Sequence, residues 1–164
     1  MNKKSLTEAE IRSQFIRPAL VDAGWQQPGA RIREEYYFTD GRMNIQGKTA
    51  VRGKRNFVDY LLIYNNVPLA VIEAKDNTHS VGSGMQQALR YADALDVPFV
   101  YSSNGDSFLE HNLLSMAGDV ERQLPLHEFP APEMLWQQYK TALDLTPEQA
   151  EIINESYHIT RGGK

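Results

Sequence analysis

The chain has 164 residues, 41% of them hydrophobic and 23% charged, which fits one globular domain with a packed core rather than a disordered protein. It contains no cysteine, which excludes a disulfide scaffold and a thiolate metal site and agrees with a reducing cytoplasm. The formal net charge of −4 argues against a small basic protein that coats nucleic acid, and no apolar run approaches the roughly 20 residues that cross a bilayer.

A first helix is predicted over residues 8–23. Thr7 followed by Glu10 forms a capping box, and Glu8 adds negative charge at the positive end of the helix dipole. Apolar residues then recur at helical spacing as far as Gly24, a typical helix stop. Pro18 lies inside this pattern, where we expect it to kink the helix or tighten one turn.

Residues 31–38 alternate as a strand would, and a turn follows at residues 39–41. The next segment, residues 42–55, is basic and contains two glycines, which is typical of an irregular connection. It is either a solvated loop or a patch that contacts phosphates, and the sequence favours neither. The cations of this segment are Arg42, Lys48, Arg52, Lys54 and Arg55.

Residues 57–75 form the most informative stretch of the chain. Two apolar runs rich in β-branched and aromatic side chains are joined by a short polar turn, which predicts a hairpin. Three charges lie inside it, on Asp59, Glu73 and Lys75. Burying an unpaired charge costs several kcal/mol, comparable with the net stability of a domain, so these charges need a partner, a metal or a function.

The register of the hairpin decides whether the three charges meet. Glu73 and Lys75 are two residues apart on one strand and share a face. A two-residue turn would place Asp59 opposite Ile72, on the wrong face, whereas a loop with an odd number of residues would place it opposite Glu73. We predict the odd loop, because the other register scatters the charges over both faces. Strand splay or a bulge at Asp59 would be another route to the same convergence.

A second helix is predicted after the loop of residues 76–84, with Gln87 and Tyr91 four residues apart on one face. Short strands at residues 97–102 and 107–111 complete a strand–helix–strand order, which indicates a crossover unit on a sheet covered by helices. From residue 117 onward prolines become frequent, and a helix is expected only from Pro132 to residue 143, with another short one from residue 146.

Two carboxylates at one edge of a sheet, with a main-chain carbonyl nearby, form an oxygen site suited to Mg²⁺ or Mn²⁺. A lysine beside them would stay charged and position a water or stabilise charge on a phosphate. Together these groups suit hydrolysis of a phosphodiester by metal-activated water. From spacing alone, a cross-strand salt-bridge cluster on a solvated face is an equally good interpretation of Asp59, Glu73 and Lys75.

At these residues the sequence resembles the PD-(D/E)xK nuclease superfamily, with Asp59 followed after 13 residues by Glu73-Ala74-Lys75. Glu10 matches the acid that many members contribute from the first helix, with Glu8 as the alternative if Glu10 only caps the helix. Gln87 and Tyr91 match the Gln-x-x-x-Tyr motif of one branch. Val58 stands where the superfamily usually has proline, at a loosely kept position. Taken in order, six segments are similar to the N-terminal domain of type I restriction enzyme R (motor) subunits: 7–12, 23–25, 72–75, 87–91, 103–105 and 132–136.

This resemblance implies an α/β fold with an αβββαβ core, a mixed sheet flanked by helices. It implies that Asp59 and Glu73 bind Mg²⁺ or Mn²⁺, that Lys75 and a first-helix acid are catalytic, and that Gln87 and Tyr91 support the site or touch DNA. We expect a nuclease core at residues 1–116. Residues 117–164 are then a proline-containing helical extension or linker towards a translocase domain that this chain lacks, since no Gly-x-x-x-x-Gly-Lys-Ser/Thr loop is present.

The expected activity is cytoplasmic cleavage of unmodified double-stranded DNA, without a membrane, together with methyltransferase and specificity subunits. ATP would act only through the translocase. Two alternatives remain open: a stand-alone repair or resolving nuclease of the same fold, and a non-catalytic DNA-binding or scaffold module.

Overall fold

The structure is a computed structural model that describes residues 2–39, 55–114 and 120–143. Within these residues one sheet has six strands: β1 (Ala30–Thr39), β2 (Arg55–Tyr64), β3 (Val67–Ala74), β4 (Phe99–Ser103), β5 (Ser107–Asn112) and β6 (Glu121–Pro125). Three longer helical segments accompany it: α1 over residues 8–22, α2 (Met85–Leu95) and α3 (Pro132–Ala142). The predicted α/β class and the αβββαβ order are confirmed.

The strands lie side by side in chain order, and each neighbouring pair is antiparallel except β3 and β4. That pair is parallel, so the chain must cross over the sheet, and α2 forms the crossover. Two apolar clusters cover the two faces. The α1–α3 cluster contains Leu20 and Leu135, and the α2 cluster contains Ala88 and Val71. No helix among the described residues is long and apolar enough to cross a membrane.

Helix α1 begins with the predicted capping box and contains a wider turn in its middle. Residues Glu8–Ile11 and Arg17–Asp22 are α-helical, whereas Arg12–Ile16 form one π-helical turn. The N–H of Arg17 donates to the carbonyl of Arg12. Pro18 follows at once and has no N–H to donate. The proline was expected to kink or tighten the helix; instead the preceding turn is widened, which keeps the helix continuous.

The hairpin of β2 and β3 has the two-residue turn that the sequence analysis rejected. Tyr64 pairs with Val67, and the turn residues Asn65 and Asn66 have φ of 53° and 67°. Positive φ at both central residues is the requirement of a type I′ turn, and asparagine tolerates it better than most residues. The predicted odd loop is therefore wrong.

A bulge in β3 restores the register that the turn alone would lose. Ile63 pairs with Pro68, but Leu62 pairs with Ala70, so Leu69 is an extra residue on β3. Proline cannot donate to the ladder, and inside a central strand it is accommodated at a bulge. Beyond the bulge every pair is shifted by one residue. Asp59 and Glu73 therefore converge by a bulge near the turn, rather than by the odd loop or by a bulge at Asp59.

The chain after residue 116 contributes to the same sheet and core as far as it is described. Strand β6 pairs with β5, and α3 packs in the α1–α3 cluster through Leu135 and Trp136. The indole N–H of Trp25 donates to the carbonyl of Pro130 at 2.9 Å. Residues on both sides of position 116 thus share one sheet and one apolar cluster. The short helix expected from residue 146 lies outside the described residues.

Because the hairpin turn demands two left-handed residues, its stability should follow the cost of that conformation. Asn66→Gly is expected to raise the free energy of unfolding by about 0.5 kcal/mol, and Asn66→Val to lower it by about 1–2 kcal/mol. Asn66 is exposed, so packing should contribute little. Urea unfolding of the three proteins measures the order, and a valine variant as stable as wild type would contradict the turn.

Candidate active site

The carboxylates of Asp59 and Glu73 meet where β2 and β3 stop pairing. The last ladder pair is Tyr60 with Ile72, and continuing that register places Asp59 opposite Glu73. There the side chains replace the backbone ladder. The N–H of Asp59 donates to Glu73 Oε2 at 2.9 Å, and the N–H of Ala74 donates to Asp59 Oδ2 at 2.8 Å. Each carboxylate thus has one oxygen held by the backbone of the opposite strand.

Beside Asp59, the alternation of side chains along β1 and β2 switches from one face of the sheet to the other. On β1, Ile32 packs against the α1–α3 cluster, whereas Tyr36 and Phe38 pack in the α2 cluster. Glu35 lies between them with φ of 50°, a left-handed conformation that costs a non-glycine residue about 1 kcal/mol or more. The flanking pairs of the register place Glu35 beside Asp59. Asp59 therefore lies at the boundary between the two layers, rather than inside either core.

Lys75 is the first residue after β3 and its backbone is held firmly. Its N–H donates to the carbonyl of Ser103 at 2.9 Å. The loop that follows is tied to the turn between β4 and β5, because Asn77 Nδ2 donates to the Asn104 carbonyl at 2.8 Å and Asn104 Nδ2 donates to the His79 carbonyl at 2.7 Å. The half-buried Lys75 side chain interacts electrostatically with the carboxylates of Asp59 and Glu73.

The pKa of both carboxyl groups is raised by burial and by nearby like charges. Burial raises the pKa of Asp59, against the opposing effects of the Ala74 N–H and of Arg12. Burial first, and the charge of Asp59 second, raise the pKa of Glu73 to about 8. Glu73 is only 4% exposed. At neutral pH Glu73 therefore keeps its proton, because the cations around the pair do not balance two negative charges.

The first-helix acid beside this pair is Glu8, whereas Glu10 is engaged in the capping box. Glu10 Oε1 accepts the N–H of Thr7 at 2.9 Å, and the N–H of Glu10 donates to the Thr7 hydroxyl at 3.1 Å. Glu8 is half-buried, and its pKa is raised by burial first and by the charge of Asp59 second. Of the two predicted acids, Glu8 is thus the one that interacts electrostatically with Asp59, and Glu10 is held in the capping box.

Arg12 joins the site from the π-helical turn, one helical turn after Glu8. Its Nη1 lies 3.7 Å from Asp59 Oδ1 and 3.2 Å from Glu35 Oε2, and its Nη2 lies 3.6 Å from Glu34 Oε1. The guanidinium centre is 5.3 Å from the centroid of the Tyr60 ring. Arg12 was not among the site residues predicted from the sequence. The four-residue spacing from Glu8 to Arg12 was the available signal that both share a face.

Gln87 and Tyr91 lie on α2 and are hydrogen-bonded to each other. Gln87 Nε2 donates to the Tyr91 hydroxyl. The ring of Tyr91 is buried in the α2 cluster, with its centroid 5.3 Å from that of Phe38 in an edge-to-face arrangement. No direct contact joins either residue to Asp59 or Glu73 among the described residues. The structure places the predicted helix-face pair on the opposite layer from α1.

Other sequence-based candidates are distributed as follows. Arg42, Lys48, Arg52 and Lys54 lie outside the described residues, and Arg55 begins β2. His79, the histidine nearest to Lys75 in sequence, has its Nδ1 at 3.1 Å from Asp76 Oδ1.

The residues present fit one oxygen-liganded divalent cation. No group of three or more His, Cys, Asp or Glu side chains is arranged as a metal site in the part of the chain that the structure describes. Asp59 and Glu73 instead offer two carboxylates, each with a second oxygen that no backbone N–H occupies. Mg²⁺ is commonly bound by one or two carboxylates, with water and substrate phosphate as its remaining ligands.

Because the pKa of Glu73 is raised above its ordinary value of 4.5 to about 8, the folded protein holds a proton there that the unfolded chain releases. The stability of the wild type should therefore fall as pH rises through this interval. Glu73→Gln removes the effect, so the variant should gain on wild type between pH 5 and pH 8.5, by up to a few kcal/mol, at about 1.4 kcal/mol per pKa unit. Denaturant unfolding in a chelating buffer measures the difference.

Glu110→Gln is the matched control for this experiment. Glu110 is also buried, but its Oε1 accepts from Arg122 Nε at 2.7 Å. Removing its charge breaks an ion pair, so no gain at high pH is expected. Parallel stability curves for wild type and Glu73→Gln would contradict the raised pKa.

Comparison with known proteins shows which family this chain resembles. The family model described as type I restriction enzyme R protein N terminus matches residues 5–114. The endonuclease subunit of the type I restriction enzyme EcoAI from Escherichia coli is 39% identical over 166 residues, covering 100% of this chain and 20% of that protein. The endonuclease subunit of EcoKI from Escherichia coli K12 is 29% identical over 120 residues, covering 66% of this chain and 10% of that protein.

A solved structure, described as a fragment of an HsdR subunit of a type I restriction enzyme from Vibrio vulnificus YJ016, superposes with a TM-score of 0.74 at 37% identity. It covers 87% of this chain and 27% of that chain. The chain thus spans a fifth or less of the length of the curated relatives. By the family model and the matching fold, this chain belongs to the family of N-terminal domains of type I restriction enzyme R proteins.

Proposed function

We propose that this chain is the Mg²⁺-dependent DNA endonuclease domain of a type I restriction enzyme R subunit. One observation carries the proposal: Asp59 and Glu73 exchange hydrogen bonds with the backbone at the end of a splayed strand pair, with Lys75 directly after β3. Two under-compensated carboxylates beside a lysine suit a cation and a phosphate better than a structural salt bridge does. The naming of the relatives as endonuclease subunits supports the same activity.

Asp59 and Glu73 would hold the cation, with Mn²⁺ as an acceptable substitute for Mg²⁺. When bound, the cation supplies an acidified water and offsets charge on the phosphoryl oxygens. Lys75 would donate a hydrogen bond to the attacking water or to a phosphate oxygen. Glu8, whose pKa is raised, would accept hydrogen bonds from waters at the site. Water would attack phosphorus directly and one phosphorus–oxygen ester bond would break, without a covalent enzyme intermediate.

The wider assembly is part of the same proposal. Gln87 and Tyr91 would support the site or contact DNA from α2, and the basic residues 42–55 would contact the DNA backbone. Methyltransferase and specificity subunits would select unmodified sites in double-stranded DNA, and an ATP-driven translocase outside this chain would deliver the DNA. The site of action would be the cytoplasm.

Mg²⁺-dependent nicking of supercoiled plasmid tests the activity. Wild type should nick, and Lys75→Ala should lose at least about 100-fold in rate, because a positioned cation is removed from the developing phosphate charge. Lys140→Ala is the matched control, since Lys140 lies in the last turn of α3. Equal nicking by wild type and Lys75→Ala would refute the assigned role of Lys75.

Metal binding separates the nuclease from a scaffold that kept the fold. Calorimetric titration with Mn²⁺ should show binding to wild type and a loss of at least about tenfold in affinity for Asp59→Ala, because one of two carboxylate ligands is removed. Identical titrations of the two proteins would favour the non-catalytic module. Sequence-independent nicking that added methyltransferase and specificity subunits leave unchanged would favour the stand-alone nuclease.

A further inference from the structure

The guanidinium of Arg12 lies as deep in the site as the Asp59 carboxylate. The two side chains are 13% and 15% exposed. Any ligand that reaches Asp59 therefore comes within reach of Arg12. Because Arg12 stands on α1 and Lys75 follows β3, two cations approach the carboxylate pair from different elements.

Arg12 has more donors than its observed partners use. A guanidinium carries five N–H donors in a fixed plane. The contact with Glu35 Oε2 is at hydrogen-bond distance, 3.2 Å, and the Tyr60 hydroxyl is a further partner of the side chain. The contacts with Glu34 and Asp59 are longer, at 3.6 and 3.7 Å. Its Nε is buried and has no hydrogen-bond partner among the described residues. Buried polar atoms are nearly always satisfied, so this donor gives Arg12 hydrogen-bonding capacity that the described residues do not use.

The present partners of Arg12 are also exchangeable. Glu34 and Glu35 are 38% and 67% exposed, and exposed ion pairs contribute little to stability. Asp59 is its one deeply placed counter-ion, at the distance of a charge contact rather than a hydrogen bond. Once Asp59 binds a cation, that counter-ion is no longer available to Arg12. An anion arriving at the site would then find an arginine with free donors.

We propose that Arg12 binds a backbone phosphate of DNA beside Asp59, exchanging the Asp59 carboxylate for the phosphate when a divalent cation occupies the site. This inference rests on the proposed nuclease function and adds a substrate-binding residue to it. The planar fork of arginine matches two phosphate oxygens at once, which lysine cannot do. Lys75 and Arg12 would then contact the phosphate from two sides.

Arg17 is a matched control for this role. It lies on α1 five residues after Arg12 and pairs with Glu34, as Arg12 does. No ion pair joins it to Asp59 among the described residues. Loss of Arg17 should therefore reproduce the loss of a helix-to-β1 ion pair without touching the carboxylate pair.

The test measures DNA binding in the Lys75→Ala background, so that the duplex is not cleaved. Affinity of a short fluorescent duplex is measured over a range of salt concentrations, with Mg²⁺ and with EDTA. With Mg²⁺, Arg12→Gln should weaken binding about tenfold and lower the slope of log affinity against log salt by about 0.9, the value for one lost phosphate contact. Arg12→Lys should keep most of the slope, and Arg17→Gln should match the background protein.

The EDTA arm distinguishes a phosphate contact from a structural role. Without a cation the Asp59 carboxylate remains the partner of Arg12. The difference in duplex affinity between Arg12→Gln and Arg17→Gln should therefore shrink. A difference of equal size in both arms, or equal slopes for the two variants with Mg²⁺, would overturn the inference. If Arg12→Gln does not fold, Arg12→Lys is compared with Arg17→Lys, and only the former should lose affinity.

The two proposals fail differently. If neither wild type nor the Lys75→Ala protein binds the duplex with Mg²⁺, the proposed nuclease function fails and this inference fails with it. If it binds and the Arg12 and Arg17 variants behave alike, the nuclease proposal stands and Arg12 is a structural residue of α1.

Discussion

The reciprocal hydrogen bonds of Asp59 and Glu73 organise this site. An antiparallel ladder normally satisfies its own N–H groups, and buried N–H groups rarely go unpaired. Here two of them are satisfied by carboxylates from the opposite strand. The strands can therefore separate at this point without losing backbone hydrogen bonds, and each carboxylate keeps one oxygen that no backbone N–H occupies. The same two side chains thus form the candidate binding site and accept the backbone N–H groups of the sheet.

Helix α1 must approach this point closely, and the turn between β4 and β5 provides the support. Gly105 has φ of 92°, and a Cβ there would lie 2.9 Å from the Ile11 side chain. Lys3 Nζ donates to the Gly105 carbonyl at 2.8 Å and pairs with Asp106 at 3.0 Å. The same turn holds the loop after Lys75 through Asn104. One turn therefore fixes both the helix that carries Glu8 and the loop that follows the lysine.

Sequence reasoning predicted the element order and the meeting of Asp59 with Glu73, because period-two alternation and capping are local signals. It failed where the outcome depends on several residues together. The length of the turn was predicted only from whether an odd or an even number of loop residues brings the charges to one face. Pro68, which disrupts a central ladder, was not used as evidence for a bulge. Strand β6 was missed because five residues ending in proline carry little alternation. The choice between Glu10 and Glu8 stays a prediction, although the capping box engages Glu10 in the structure. The face exchange at Glu35 has no sequence signal, since glutamate is rarely left-handed.

The bulge at Leu69 also limits how this hairpin can change during evolution. In a hairpin with a two-residue turn, an even number of residues lies between two facing residues. Between Asp59 and Glu73, however, lie 13 residues. A single inserted or deleted residue anywhere between them would move one carboxylate to the other side of the sheet, unless the bulge disappeared with it. Length changes should therefore come in twos, one residue from each strand, and a related chain without the bulge should carry a turn of different length.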